Sequence, residues 1–202
     1  MTIHRLLIAT TNAGKLREIR LLLSGLPLAL ATLDDLPAIE APEETGRSFA
    51  ENARLKATYY SSVTGLPVVA EDSGLEIDAL GGRPGVESAR FGGARTTYPE
   101  KFVLLYEELR RTAAAESRAR FVCALALVVE GAVIFEAEGT VEGQIASTPR
   151  GDGGFGYDSI FYYPPYGCTL AEAGDRKALV AHRGQAFGQL RGFLEQRHGL
   201  AP

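Results

Sequence analysis

The sequence predicts an α/β protein built on a mixed sheet, and three observations carry that prediction. Short buried apolar runs alternate with stretches of helical periodicity through the first half of the chain. Two long apolar segments then flank Glu130-Gly131, a hairpin signal that argues against a purely parallel sheet. Finally, 46% of the 202 residues are hydrophobic, enough for a sizeable interior.

The elements follow in order. Residues 6–9 read as a buried strand, and from Lys15 the pattern turns helical, with Leu16, Ile19, Leu22 and Leu23 on one face until Gly25. Residues 28–32 form a second strand candidate, and the acidic, proline-punctuated stretch 33–46 reads as loop. Ser48 and Glu51 have capping-box spacing before a helix to about residue 64, stopped by Gly65 and Pro67. Residues 68–70 form a buried strand that leads into Glu71-Asp72, expected as the loop at the strand's end. After the glycine-rich loop 81–85, residues 98–114 read as a helix with Phe102, Leu105, Tyr106 and Leu109 on one face. Residues 120–129 and 132–138 are the two arms of the hairpin. Residues 159–163 are strand-like, Thr169 and Glu172 repeat the capping-box spacing, and Phe187, Leu190, Phe193 and Leu194 stripe a last helix closed by Gly199. No repeat, linker or low-complexity tract interrupts residues 1–202, so a single domain is expected.

Composition excludes several classes. A net charge of −4 with basic residues scattered along the chain does not suit a nucleic-acid-wrapping surface. The two cysteines, Cys123 and Cys168, are too few for a disulfide scaffold and are not spaced as a zinc knuckle. Cys123 falls in the longest apolar run, 121–129, far short of the roughly 20 residues that span a bilayer. The N-terminal residues carry no secretory signal pattern. A reducing cytoplasm is the expected setting.

Four segments set small, backbone-exposing residues beside charges suited to phosphate or metal. Thr10, Thr11, Asn12, Ala13, Gly14 and Lys15 join a strand end to a helix start, where bare N–H groups and the helix dipole favour an anion. This is not a Walker A loop, because its first glycine is missing and Leu16 stands where Ser or Thr should bind magnesium. Asp72 and Glu71 alternate across an extended chain, so one of them addresses a given site and can hold a metal or deprotonate water. Glu43 and Glu44 offer a second oxygen ligand. Residues 151–156 satisfy G-x-G-x-x-G but precede a strand-like aromatic run, so the dinucleotide fingerprint lacks its helix. Phe155 suits stacking on a base, with Asp158 or backbone groups on the base's edge. Lys177, His182 and Arg183 add donors, and Lys56 adds a further cation. Together these supply what a nucleoside triphosphate site needs.

The motifs T-T-N-A-G-K at 10–15, E-T-G at 44–46, F-x-E-N-A at 49–53, L-K-A at 55–57, D-S-G-L at 72–75, G-G-x-P-G at 81–85, S-A-R at 88–90, G-G-F-G-Y-D at 153–158 and H-R-G-Q-A at 182–186 resemble the inosine triphosphate pyrophosphatase family, in the family's order and across nearly the whole chain. The resemblance implies an elongated α/β fold with a long curved mixed sheet and an active-site cleft between two lobes, a homodimer, and a Mg2+ requirement. It also implies hydrolysis of ITP, dITP and XTP to the monophosphate and pyrophosphate. By position it implies Asp72 as proton acceptor and metal ligand, Ser73 and residues 10–15 on the substrate, and Glu43 or Glu44 completing the metal site. Phe155, Gly156, Tyr157 and Asp158 would hold the base, with Lys177, His182 and Arg183 on the nucleotide. Arg183, a pure donor, would read a 6-keto oxygen. Glu71 departs from the Asp-Asp-Ser-Gly that many relatives carry. Two rival readings are a pyrophosphatase for other modified nucleotides and a nucleotide sensor without turnover.

Overall fold

The computed structural model describes residues 2–112 and 117–199. It contains a seven-stranded sheet in the order β2-β1-β3-β4-β5-β6-β7, with strands β1 (Arg5–Ile8), β2 (Ala29–Thr32), β3 (Val68–Ile77), β4 (Arg118–Val129), β5 (Ala132–Ile145), β6 (Phe161–Tyr163) and β7 (Cys168–Thr169). The helices are α1 (Ala13–Leu22), α2 (Phe49–Thr64), α3 (Tyr98–Arg111), the single turn α4 (Lys177–Val180) and α5 (His182–Arg197). β1 pairs in parallel with β2 and β3, whereas β6 pairs antiparallel with β5 and β7, so the sheet is mixed as expected. The hairpin between β4 and β5 turns at Glu130 and Gly131, both with positive φ (51° and 78°), the conformation that matches the twist of the flanking strands.

The expected elements appear with informative shifts. Ser48 caps α2 by accepting from the Glu51 N–H at 3.2 Å, and Gly65 ends that helix in the left-handed conformation at φ 68°. The expected box at Thr169 and Glu172 is present in its hydrogen bonds, yet it closes a turn and no helix follows. For α3, expected residues 113 and 114 lie outside the described residues. The largest correction concerns β3, which runs for ten residues through Glu71, Asp72, Ser73 and Gly74. These residues are strand, not loop: Glu71, Asp72 and Gly74 are themselves buried, and the buried run continues to Leu75 and Ile77. Gly74 keeps the strand's path open, since a Cβ there would lie 2.6 Å from the Gly85 carbonyl oxygen and press on Ser88.

The chain divides into two compact units, one comprising residues 1–72, 123–139 and 182–202, the other 73–122 and 140–181. The first has two apolar clusters: Ile19, Leu23, Leu125, Phe187 and Leu190 in one, Leu7, Ala53, Ala57, Tyr60 and Val128 in the other. In β4 the residues alternate between them, as the pleat requires. The second unit has its own cluster around Leu75, Phe102, Leu105, Phe121 and Phe161.

Close backbone approach explains one glycine in the first unit. A Cβ on Gly139 of β5 would press on the His182 carbonyl oxygen and lie 2.7 Å from Gln185 Cβ and 2.9 Å from Ala186 N, at the start of α5. Gly139→Ala is therefore expected to destabilise the protein by about 1–3 kcal/mol through overpacking, read as a lower midpoint in chemical denaturation.

Candidate active site

The pleat of β3 sends its adjacent carboxylates into different surroundings within the first unit. Glu71, with its side chain 1% exposed, lies 2.8 Å from Lys15 Nζ and 3.6 Å from Arg183 Nη2, and accepts a hydrogen bond from Cys123 Sγ at 3.4 Å. Burial pushes its pKa up, but Lys15, Arg183 and Lys56 outweigh burial and hold the carboxyl well below the usual range. Asp72 accepts from Asn52 Nδ2 at 3.0 Å and from Lys56 Nζ at 3.3 Å. Here burial prevails: Lys56 and Lys15 pull the pKa down, Glu44 pushes with burial, and the net shift is upward. Two neighbouring carboxylates with pKa values driven apart are suited to different tasks, Glu71 as a fixed anion and Asp72 as a base.

Residues 10–15 form the entry to α1, and the structure corrects the expectation of bare donors there. Asn12 is the N-cap, its Oδ1 accepting from Gly14 N at 2.9 Å and Lys15 N at 3.1 Å, while Thr10 Oγ1 accepts from Asn12 N at 3.2 Å. The short Asn side chain at a strand-to-helix junction satisfies these N–H groups itself. Thr11 and Asn12 are exposed, and Ala13 opens the helix. Lys15 extends from the first turn to Glu71.

Helix α2 supplies Asn52 and Lys56, one turn apart on the same face. Asn52 is fully buried and oriented at both ends, its Oδ1 accepting from Gly46 N at 2.8 Å while its amide donates to Asp72. Lys56 is not a solvated charge: its ammonium contacts Glu44 Oε1 at 2.7 Å as well as Asp72. Burial lowers its pKa, but Asp72, Glu44 and Glu71 together outweigh that and raise it. Glu43 is exposed whereas Glu44 is half-buried, so Glu44 is the acid brought to Asp72. Asp72 Oδ1 and Glu44 Oε1 converge on one cationic point, a hard-oxygen pair that fits a divalent cation sharing phosphate oxygens. Among the described residues no group of three or more His, Cys, Asp or Glu forms a complete metal cage.

The second unit holds Ser73, the glycine-rich segment and Lys177. Ser73 lies within β3. Residues 151–156 form a built turn, not a flexible loop. Gly151, Gly154 and Gly156 take positive φ, Gly153 N donates to Ala171 O at 3.2 Å, and Phe155 N donates to Asp158 Oδ2 at 2.8 Å. A side chain at Gly154 would press on that same carboxylate. Asp158 also pairs with Lys177 Nζ at 2.8 Å, and the ammonium stands 5.0 Å from the Phe155 ring centroid. Tyr157 is buried, packs edge-on to Tyr98 at 5.3 Å and donates to Ser88 O at 2.8 Å. Gly156 lies beside Tyr98: a Cβ there would be 3.6 Å from the phenol oxygen. The segment thus sets the Lys177 ammonium over one face of the Phe155 ring, with the buried Asp158 carboxylate holding both that ammonium and the Phe155 N–H.

His182 and Arg183 open α5 in the first unit, both buried. Arg183 pairs with Glu18 as well as Glu71. Sequence reasoning assigns no role to Glu18, Asn52 or Cys123. The available signals are spacings: Glu18 is three residues from Lys15, Asn52 four from Lys56. For Cys123 there is none, since an apolar run does not announce a carboxylate behind it.

Comparison with known proteins places the chain in a family. The Ham1 family model matches residues 6–193, and the chain belongs to that family. It is 49% identical over 192 residues to the dITP/XTP pyrophosphatase of Thermus thermophilus, covering 95% of this chain and 90% of that protein. With the dITP/XTP pyrophosphatase of Geobacter sulfurreducens it shares 44% over 191 residues, 94% of this chain and 96% of the relative. The solved HAM1 protein from Coxiella burnetii superposes with a TM-score of 0.89 at 38% identity, covering 97% of this chain and all of that one.

Removing the Glu71 charge should cost stability in a pH-dependent way. Because its folded pKa is depressed, its contribution is present above the ordinary carboxylate value and is lost as pH falls below about 5. Glu71→Gln is expected to lose about 3 kcal/mol at pH 7, as when one partner of a buried pair is removed. The gap to wild type should hold from pH 7 to about pH 5 and narrow progressively below that in denaturant titrations.

Proposed function

We propose that this chain hydrolyses non-standard purine nucleoside triphosphates, ITP, dITP and XTP, to the monophosphate and pyrophosphate. The observation that carries the reading is the split pair on β3: Asp72, held by Asn52 and Lys56 opposite Glu44, next to Glu71, buried against Lys15 and Arg183. A sensor without turnover has no use for that contrast. The rival pyrophosphatase for other modified nucleotides is separated by substrate choice.

In this mechanism water attacks the α-phosphorus in line with the bond to the leaving pyrophosphate. Asp72 orients the water and takes its proton, a task served by a carboxylate whose proton affinity burial has raised. Asn52, oriented by Gly46 N, fixes Asp72 Oδ2, so Oδ1, which Lys56 Nζ contacts at 3.3 Å, is the oxygen that faces the water. Lys15 and Lys56 offset charge on the phosphates, with Thr10, Thr11, Asn12, Ala13 and Gly14 around them. Asp72 and Glu44 would hold the metal, read as Mg2+, which when bound neutralises phosphate charge and acidifies water. Phe155 stacks on the base, Gly156, Tyr157 and Asp158 line its edge, and Ser73, Lys177 and His182 contact the nucleotide. Arg183, a pure donor paired with Glu18 and Glu71, would accept a 6-keto oxygen as a further partner and be opposed by a 6-amino group. The family resemblance adds a homodimeric, cytoplasmic working form to the same proposal.

A pyrophosphate-release panel across ITP, dITP, XTP, dATP and dGTP tests the reading: the first three should turn over well ahead of dATP, and activity should vanish with chelator and return with Mg2+. Equal turnover of dATP would overturn the base assignment. Asp72→Asn should fold normally by circular dichroism and lower kcat by roughly 10²–10⁴-fold; near-normal turnover would remove Asp72 as the base.

A further inference from the structure

The segment read as lining the base edge, Gly156 to Asp158, offers the base no side-chain donor. Gly156 has no side chain, Asp158 supplies acceptor oxygens, and the buried Tyr157 donates its hydroxyl to Ser88 O at 2.8 Å. Tyr98, outside that segment, stands where Gly156 leaves room. A Cβ on Gly156 would be 3.6 Å from the Tyr98 phenol oxygen and 3.7 Å from its Cε1 and Cζ. The Tyr98 side chain is half-buried, and its hydroxyl has no hydrogen-bond partner among the described residues. Burial and the Asp158 charge both raise its pKa above the ordinary phenol value, so the hydroxyl keeps its proton and can donate.

Tyr98 is held firmly in that place. It is the first residue of α3, directly after the Thr97 cap, whose N–H and hydroxyl both donate to Glu100 Oε2 at 2.7 Å. Its ring packs edge-on to Tyr157 at 5.3 Å and against Phe102 at 6.3 Å. Lys101 lies over the same ring, its Nζ 4.8 Å from the centroid. Lys101 is 3% exposed and donates to Ala89 O at 2.6 Å, with no carboxylate partner among the described residues. A buried ammonium without a counter-ion is costly, and the group that receives its field is the Tyr98 phenol. A cation on the π face draws electron density from the ring, so the hydroxyl donates more strongly and accepts more weakly.

We propose that Tyr98 is a specificity residue for the 2-position of the purine: its hydroxyl donates to the 2-keto oxygen of xanthine, with Lys101 acting through it as a positioning residue. This rests on the reading that the base stacks on Phe155 and that Arg183 takes the 6-keto oxygen, which leaves the 2-substituent as the remaining exocyclic group. Hypoxanthine carries only hydrogen there and gains nothing. Guanine carries an amino donor, which a polarised hydroxyl accepts poorly.

The test is the ratio of kcat/KM for XTP over ITP, whose bases differ at position 2, with folding followed by thermal denaturation. Tyr98→Phe, which keeps the ring and its packing, should lower the ratio about fivefold, the worth of one hydrogen bond. Lys101→Met, which removes the cation and keeps an unbranched stem, should lower it by less, and it carries the test alone if Tyr98→Phe does not fold. Added to Tyr98→Phe, Lys101→Met should change the ratio no further. An unchanged ratio in either single variant, a parallel loss on both substrates, or a Lys101→Met effect that persists without the hydroxyl overturns the proposal. A wild-type protein that turns over neither XTP nor ITP ahead of dATP overturns the base reading beneath it, a result distinct from any of these.

Discussion

A buried, ionised carboxylate on β3 is the constraint around which the first unit is arranged. Glu71 has almost no contact with water, and an isolated charge there would cost far more than the fold can supply. Its charge is sustained by Lys15 from α1, Arg183 from α5 and the Cys123 thiol from β4. Three separate chain segments must therefore arrive at one point before the carboxylate is stable. Apolar side chains of similar volume would serve stability at least as well. The charge is better understood as the device that sets Lys15 and Arg183 in fixed positions.

Asp72, one residue on, shows what the pleat achieves. It has lysine contact too, yet burial dominates and Glu44 adds repulsion, so its proton affinity rises. Strand geometry makes the contrast possible, because successive side chains leave opposite faces and cannot share partners directly. Helix geometry then supplies the partners: Asn52 and Lys56, one turn apart on α2, deliver a neutral donor and a cation to the same carboxylate. The apolar residues Ala53, Ala57 and Tyr60 on that helix bury it in the cluster with Leu7 and Val128, which holds those two side chains in register.

Much of this is legible in the sequence where local chemistry decides the outcome. The α2 boundaries follow from Ser48, Glu51 and Gly65, and the hairpin from Glu130-Gly131. The alternation of Glu71 and Asp72 follows from an extended backbone. What the sequence hides depends on long-range pairing. The span of β3 past Ala70 is unreadable because Glu71 to Gly74 has turn composition, whereas distant partners bury Glu71 and Asp72 and the strand runs on to the buried Leu75 and Ile77. Lys56 reads only as a further cation without named partners, because Glu44 and Asp72 lie 12 and 16 residues away. Asn12 reads as part of an open anion cradle, whereas a cap residue answers its own helix first.

The length of Glu71 bears on its role. An aspartate at this position would withdraw the carboxylate by about one C–C bond, roughly 1.5 Å. Lys15 is long, flexible and partly exposed, and could follow. Arg183 cannot follow as readily: it is buried, already 3.6 Å from Glu71, and gripped by Glu18. Cys123 is fixed by β4. Shortening residue 71 would thus keep the lysine and lose the arginine and thiol, uncoupling the phosphate-side cation from the proposed base reader. The extra methylene of Glu71 is what joins the two, and with aspartate here Arg183 would rest on its pairing with Glu18.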